Sequence, residues 1–259
     1  MRTQDGPVAV DEPAGSSAFH NALALAVTPV QRLLVLRLAV PGDSPPNTVC
    51  GRCGAKISLR GHGQPALLPP GRCGGCGRPI GAPPYLLELL TVLAAAVAVL
   101  ASPTGPVMMA ALWWVACAVP LVFVDVRVHR LPNVLTYPAA AGVLLFLLLD
   151  ATVSETWEAV LRSVTAAATI GAAFILTALL LGRRGLGLGD GKLMVSIALL
   201  LGWWGWGFVF TAVFVAFLTA GVAGAGLLAA RRVTRQSHLP MGPHLVLAAV
   251  VVLAVQAAG

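Results

Sequence analysis

The chain has 259 residues, of which 58% are hydrophobic and only 10% are charged, and its mean hydropathy is +0.86. In a soluble domain roughly a quarter of the residues are charged, because its surface contacts water. This composition therefore excludes an ordinary water-soluble globule and predicts a membrane protein. The net charge of +7 does not indicate nucleic-acid binding, because no stripe of Lys and Arg with interleaved aromatic residues occurs.

The N-terminal segment lacks the basic start and apolar core of a cleavable signal peptide. Residues 1–16 have the composition of a disordered, mildly acidic tail. Residues 17–40 are more apolar but contain Gln31, Arg32 and Arg37, which are costly at the centre of a bilayer. We expect a degenerate or interfacial helix over 17–40, and this segment is the candidate for an additional span.

Four of the five cysteines form two CxxC pairs in the basic segment 41–84. They are Cys50, Cys53, Cys73 and Cys76. Each CxxC turn can point two sulfurs at one ion, so the spacing predicts a closed, structural zinc site with four thiolate ligands. Two reversible disulfides, or thiols without a ligand, are the alternatives. Cys117 lies alone in an apolar run and is expected to be a small buried hydrophobe.

Seven apolar segments in residues 85–259 approach the roughly twenty residues that a helix needs to cross a bilayer. They are 85–102, 107–124, 134–149, 160–182, 193–206, 208–230 and 244–258. The third and fifth are short, and a Gly/Trp cluster separates the fifth from the sixth. The predicted fold class is therefore all-α: a polytopic membrane helix bundle of seven spans, or eight with 17–40, carrying a small zinc-binding loop region at 41–84.

Basic and non-basic connections alternate along the chain. Cytoplasmic loops of membrane proteins carry an excess of Lys and Arg, so we expect every basic connection to face the cytoplasm and every other turn to lie outside. The basic connections are 41–84, 125–133, 183–192 and 231–243; the others are 103–106, the acidic 150–158 and the Trp-rich break at 202–207.

Two aspartates stand at predicted cytoplasmic edges of the bundle. Asp125 ends the second span, and Asp190 precedes the fifth span in a run that includes Gly187 and Gly189. Aspartates at the membrane are expensive and mark functional sites. Two carboxyls that share one proton can activate water and polarise a carbonyl, which is the chemistry of an aspartic protease. Glycines in this run would let the backbone approach a substrate closely.

Other interpretations stay open on the pattern alone. The aspartates could pair with nearby arginines at helix ends, as Asp125 could with Arg127 or Arg130. A transporter or channel could use half-buried carboxylates to move protons or cations, but it should show internal repeats or interrupted helices at mid-membrane, and none is evident. A scaffold that presents its zinc region to a cytoplasmic partner would need neither aspartate. The five histidines show no HExxH spacing, which disfavours a metalloprotease.

Four blocks resemble the type IV prepilin peptidase family, the leader peptidases with an attached N-methyltransferase activity, and they occur in the family's order. These are the cysteine pairs followed by 78–90, Asp125 with 129–136, the GxGD stretch 187–193, and 240–243. The resemblance implies an aspartic endopeptidase of the GxGD type in which Asp125 and Asp190 are the catalytic pair. Gly187, Gly189 and Lys192 are then the candidates for shaping the loop or binding substrate.

The resemblance also implies a substrate and a location. The substrate would be a prepilin or pseudopilin, cut after a glycine just before its hydrophobic N-terminal helix, at the cytoplasmic face of the bacterial inner membrane. The new N-terminus would then be methylated from S-adenosylmethionine, although no glycine-rich methyltransferase loop can be identified. Membrane lipid is the other expected partner. The segment 17–40 departs from the family's uninterrupted first span.

Overall fold

A computed structural model of the chain describes residues 15–41, 44–57, 65–181, 187–232 and 240–258, without the side chains of 15–25 and 181. Those residues form eight α-helices and no strand, apart from two isolated antiparallel bridges. The helices are α1 (Gly15–Leu38), α2 (Leu86–Ala101), α3 (Gly105–Val128), α4 (Asn133–Ser154), α5 (Trp157–Leu181), α6 (Leu188–Gly202), α7 (Trp206–Ala229) and α8 (Gly242–Ala258). The predicted tail lies outside the described residues except for its last two positions, which begin α1.

The seven predicted spans coincide with α2 to α8, which confirms the all-α helix bundle. Within the described ranges, α3, α4, α5 and α7 are long and apolar enough to cross a bilayer, whereas α2 and α8 are shorter apolar helices. Helix α6 has 15 residues, which corresponds to about 22 Å. It is therefore too short to cross a ~30 Å hydrocarbon core alone, and most of its side chains are buried by other helices.

Helix α3 is the central element of the bundle, packed against α1, α2, α4 and α8 and in contact with α6. Small side chains make this close approach feasible, because Ala110, Ala111 and Ala118 are all fully buried. The fully buried Trp114 donates its indole N–H to Ser196 Oγ on α6 at 3.1 Å. A buried indole needs such an acceptor, so this bond helps to fix α3 beside α6.

One end of the bundle, which we call the Asp150 end, differs from the prediction. Helix α4 continues past residue 149, so Asp150 belongs to the helix rather than to an outer acidic turn. Asp150 is fully buried, and its two oxygens accept hydrogen bonds from the hydroxyls of Thr104 (2.5 Å) and Thr156 (3.0 Å). Because both oxygens have donors, the carboxyl can be buried without an unsatisfied polar group.

Helix α1 joins the cysteine-containing region to the bundle. It packs against α2 and α3, and its residues Leu33 and Leu36 form a small apolar cluster with Ile57, Ala66 and Leu67 of the loop region. The segment predicted as a degenerate or interfacial helix is therefore a continuous helix with tertiary contacts on two sides.

Two of the three polar residues that interrupt the apolar run of α1, Gln31 and Arg32, have hydrogen-bond partners inside the protein, whereas the buried Nε of Arg37 has none among the described residues. Arg32 forms a buried ion pair with Glu88 of α2, with Nε–Oε1 at 2.5 Å and Nη2–Oε2 at 2.8 Å. Gln31 accepts a hydrogen bond from the Thr91 hydroxyl (2.8 Å) and donates to the Ala116 carbonyl (3.1 Å). These contacts explain how α1 tolerates residues that would be costly in lipid.

Arg32 also donates to three backbone carbonyls outside the helices. Its Nη1 reaches Ala82 O at 3.2 Å, and its Nη2 reaches Pro69 O at 2.7 Å and Pro83 O at 3.2 Å. One guanidinium thus connects α1, α2 and the segment that leads from the cysteines into α2. Its planar fork of donors suits this arrangement, which an ammonium group could not reproduce.

We expect Arg32→Met to lower the free energy of unfolding in detergent by about 3–5 kcal/mol, because it leaves a buried carboxylate without its partner. Glu88→Gln should cost less, since the amide keeps an acceptor oxygen and the three carbonyls keep their donor. Denaturant unfolding of both variants checks this. Arg232→Met, at an exposed position, is the control and should change stability by less than about 0.5 kcal/mol. An Arg32→Met variant as stable as this control would contradict the assignment.

Candidate functional site

Asp125 lies in the last turn of α3 and is 4% exposed. Its Oδ2 accepts a hydrogen bond from the backbone N–H of Gly242, the first residue of α8, at 2.9 Å. The absence of a side chain at 242 is required here, because a Cβ would lie 2.8 Å from the same oxygen. The N-terminus of a helix favours a negative charge, so the start of α8 both positions and stabilises the carboxylate.

Asp190 lies in the first turn of α6 and is partly exposed. Its Oδ2 accepts a hydrogen bond from the backbone N–H of Gly187 at 3.0 Å, so the side chain folds back onto the residue that precedes the helix. A carboxylate in this position satisfies one of the free N–H groups at a helix start. Both aspartates are thus held by a backbone donor through one oxygen, which leaves the other oxygen of each for chemistry.

The structure brings Asp125 and Asp190 to the same end of the bundle, which we call the Asp125 end. The charge of Asp125 acts on the Asp190 carboxyl through a Coulombic repulsion. Carboxyls that interact by more than about one pK unit titrate as a pair rather than as independent groups. Such a pair would supply one ionised and one protonated carboxyl, and the assignment of Asp125 and Asp190 as that pair stays a prediction.

The candidate loop-shaping residues lie around Asp190. A Cβ at Gly187 would stand 3.1 Å from Asp190 Oδ2, and one at Gly189 would stand 3.0 Å from Leu131 Cβ, so both positions are crowded. Gly189 therefore allows close packing of the GxGD stretch against the α3–α4 connection, and Gly187 leaves room for the Asp190 carboxyl to fold back onto it. Whether they also serve substrate approach stays a prediction.

Lys192 points toward the start of α4. Its Nζ donates to Asn133 Oδ1 at 2.7 Å and lies 5.1 Å from the centre of the Tyr137 ring. This contact joins α6 to α4 at the Asp125 end, so Lys192 has a packing role there in addition to any role toward substrate.

One of the arginines considered as a partner for Asp125 has another contact. The Arg127 guanidinium donates to the backbone carbonyl of Gly81, in the segment between the cysteines and α2. Asp125 itself is held by Gly242, as described above. The observed geometry thus gives Asp125 a backbone donor and gives Arg127 a backbone acceptor.

The four paired cysteines converge on one point, with all four sulfurs within 4.8 Å of one another. The two halves of the site repeat one turn: Cys50 N–H donates to Ala55 O and Cys73 N–H to Arg78 O, both at 2.8 Å. A tetrahedral ion with metal–sulfur bonds of about 2.3 Å needs sulfurs about 3.8 Å apart. Four thiols at this spacing fit a closed tetrahedral shell.

Backbone donors in the two turns favour thiolates. The N–H groups of Arg52 and Cys53 lower the pKa of Cys50 to about 6, and those of Cys76 and Gly75 lower the pKa of Cys73. The Ala55 N–H favours the Cys53 thiolate, but the three neighbouring sulfurs raise the pKa of Cys53 to about 11. Four thiolates this close together would repel one another without a cation among them, so the donor set is suited to a thiophilic metal ion.

Three residues in these networks had no role in the sequence-based prediction. Gly242 belongs to a block that carried the family resemblance, but nothing in the sequence indicated that its N–H would face Asp125. Glu88 lies in another block that carried the family resemblance but had no role of its own, and Arg32 was regarded as an interruption of the apolar run. A pairing of the two could have been suspected, because an arginine and a glutamate in separate apolar segments are each costly alone.

Comparison with known proteins agrees with the resemblance of the sequence blocks. Residues 109–229, which include both aspartates, match the model of the type IV leader peptidase family. A prepilin leader peptidase/N-methyltransferase of Aeromonas hydrophila is 35% identical over 180 residues, covering 69% of this chain and 60% of the relative. One from Aeromonas salmonicida is 32% identical over 206 residues (78% and 69%), and one from Pseudomonas aeruginosa is 28% identical over 220 residues (78% and 69%). No solved structure matches the chain.

Proposed function

We propose that this chain, which belongs to the type IV leader peptidase family, is a membrane aspartic endopeptidase that removes the leader from type IV prepilins or pseudopilins. The chain spans 60% of the length of the A. hydrophila relative and 69% of the A. salmonicida relative. The observation that carries the proposal is the placement of two interacting carboxyls at one end of the bundle, inside the segment that matches the family.

In the proposed reaction Asp125 and Asp190 share one proton. The ionised carboxylate takes a proton from water, whose oxygen attacks the carbonyl carbon of the scissile peptide bond, while the protonated carboxyl donates a hydrogen bond to the carbonyl oxygen. Collapse of the tetrahedral intermediate transfers a proton to the leaving amine and breaks the C–N bond. The net change is the addition of one water molecule, and the pair returns to its starting protonation state.

The orientation of the site in the membrane is part of the proposal. The ends of α3 and α7 and the starts of α4, α6 and α8 adjoin the basic connections, whereas the Asp150 end adjoins the short turns and the Trp-rich break. Positive residues favour the cytoplasmic side, so the Asp125 end faces the cytoplasm of a bacterial inner membrane. Nothing in the helix arrangement or in the comparisons favours the transporter interpretation.

The four cysteines are proposed to hold one structural zinc ion. A closed four-thiolate shell has no open position for water, so the metal would stabilise the fold of the loop region and take no part in peptide cleavage. The bacterial relatives are also named N-methyltransferases. Methylation of the new N-terminal amine from S-adenosylmethionine is therefore the second activity that we propose, and no residue of this chain is assigned to it.

Purified protein with intact thiols should contain about one zinc ion per chain. Cys73→Ser should lose the metal and make the loop region more sensitive to proteolysis, because metal binding contributes folding free energy directly. Metal analysis and limited proteolysis test both points. Cys117→Ala, which removes a thiol from α3, is the matched control and should keep the metal. Protein with intact thiols and no stoichiometric metal would refute the zinc site.

Asp125→Asn and Asp190→Asn should each reduce prepilin cleavage by about 10²–10⁴-fold, since each removes one half of the acid–base pair. The double variant should be only slightly less active than either single one, because members of one catalytic unit are not additive. Mass spectrometry of a prepilin with a basic leader, a glycine and an apolar helix measures the cut.

Asp150→Asn provides a matched control for this experiment. It makes the same change at another buried aspartate, but at the opposite end of the bundle, and its amide oxygen can still accept a hydrogen bond from a threonine hydroxyl. Cleavage by this variant should stay within a few-fold of wild type. Full cleavage by Asp190→Asn, or an equal loss in Asp150→Asn, would argue against the catalytic pair.

A further inference from the structure

The short segment that connects the cysteine-containing region to α2 is held by arginines from two helices. Three successive backbone carbonyls, those of Gly81, Ala82 and Pro83, each accept a hydrogen bond from a guanidinium. Arg32 of α1 supplies the last two bonds, and Arg127 of α3 supplies the first. The position of this segment is therefore fixed from both sides by side chains that lie outside it.

The backbone of the segment fits closely against its neighbours. Gly81 has a φ of +74°, a conformation that favours glycine, and a Cβ at this position would lie 2.8 Å from Leu36 Cδ2. The turn before Cys73 also approaches α1 closely, because a Cβ at Gly71 would lie 2.7 Å from Arg32 Nη1. A loop packed this closely has little freedom to shift without disturbing α1 and the residues that contact it.

The side chain of Arg127 connects this loop to the helix that carries Asp125 of the proposed active site. It lies in the last turn of α3, two residues after Asp125, in a part of a helix that lacks the full set of backbone hydrogen bonds. The Asp125 carboxylate faces the start of α8, and the Arg127 side chain faces Gly81. The last turn of α3 is thus held on two sides, by α8 and by the loop.

We infer that Arg127 is a positioning residue for the proposed peptidase, and that it couples the placement of Asp125 to the folded cysteine region. The inference rests on the proposed function, since it concerns the same carboxylate. Arg127 does not touch the reacting atoms in this account. It holds the last turn of α3 in the orientation that places Asp125 beside Asp190. The same hydrogen bond to the Gly81 carbonyl holds the loop in its position.

Coupling of this kind is reciprocal. If the loop restrains the turn that carries Asp125, then loss of the Arg127 bond must also loosen the loop. Two independent readouts follow: the turnover number for prepilin cleavage, and the reactivity of the cysteine thiols, of which Cys53 is exposed and Cys76 half-buried. A residue that merely stabilised the whole bundle would not change these two quantities together in folded protein.

The experiment compares Arg127→Ala, Arg127→Lys and Arg232→Ala in the full-length, zinc-loaded protein. We expect Arg127→Ala to lower kcat about tenfold with little change in KM, and to raise the rate of thiol labelling at Cys53 and Cys76 severalfold, followed residue by residue by mass spectrometry. Arg127→Lys should have a smaller effect on both kcat and the labelling rates, because an ammonium can still donate to the Gly81 carbonyl. Arg232→Ala removes an exposed positive charge from the connection after α7 and should match wild type in both assays.

If Arg127→Ala does not fold, Gly81→Ala disturbs the same hydrogen bond from the loop side and should give the same two effects. An unchanged kcat, an effect on KM alone, or unchanged thiol labelling would overturn the inference. Failure of the proposed function is separable from this result: wild-type protein that cuts no prepilin would refute the peptidase, whereas the labelling rates report on the Arg127 contact without any substrate.

Discussion

The structure depends on one constraint: a polar group inside an apolar helix bundle must have a partner within the protein, because neither lipid nor a packed core supplies one. Four buried charged residues satisfy it in different ways. Arg32 and Glu88 neutralise each other, and Asp150 is satisfied by two threonine hydroxyls. Asp125 is held by the backbone N–H of Gly242. Each solution ties together helices that are distant in sequence, so the same contacts that make the residues tolerable also determine how the helices pack.

These arrangements differ in whether they leave a carboxylate oxygen without a hydrogen-bond donor. In the Arg32–Glu88 and Asp150 networks, both oxygens of the carboxylate have a hydrogen-bond donor. Asp125 and Asp190 each accept a backbone hydrogen bond through a single oxygen, and the charge of Asp125 acts on Asp190. A carboxyl that is at least partly buried and has a like charge nearby is a candidate for a functional site. The two ends of the bundle differ in the same way, with a hydroxyl–carboxylate network at one end and the proposed catalytic pair beside the basic connections at the other.

Much of this could be predicted from the sequence. Hydropathy located α2 to α8, the CxxC spacing identified the four cysteines that converge, and the rarity of aspartates at span edges singled out Asp125 and Asp190. Contacts between distant segments could not be predicted. The burial of Asp150 at the end of α4 depends on a hydroxyl of the distant α2–α3 connection as well as on the nearby Thr156, and the tolerance of Arg32 depends on Glu88 and on carbonyls of the loop. No local pattern encodes such partners, because each is assembled only when the helices pack.

The central claim is that Asp125 and Asp190 act as one coupled pair, and the pH dependence of kcat/KM for prepilin cleavage tests it most directly. A pair that shares a proton should give a bell-shaped profile whose two limbs belong to both residues. Gly242→Ala places a Cβ 2.8 Å from Asp125 Oδ2 and so displaces one carboxyl only. We predict that both limbs of the profile move in this variant, because the two ionisations are shared. A profile with a single limb, or a shift of one limb alone, would contradict the account.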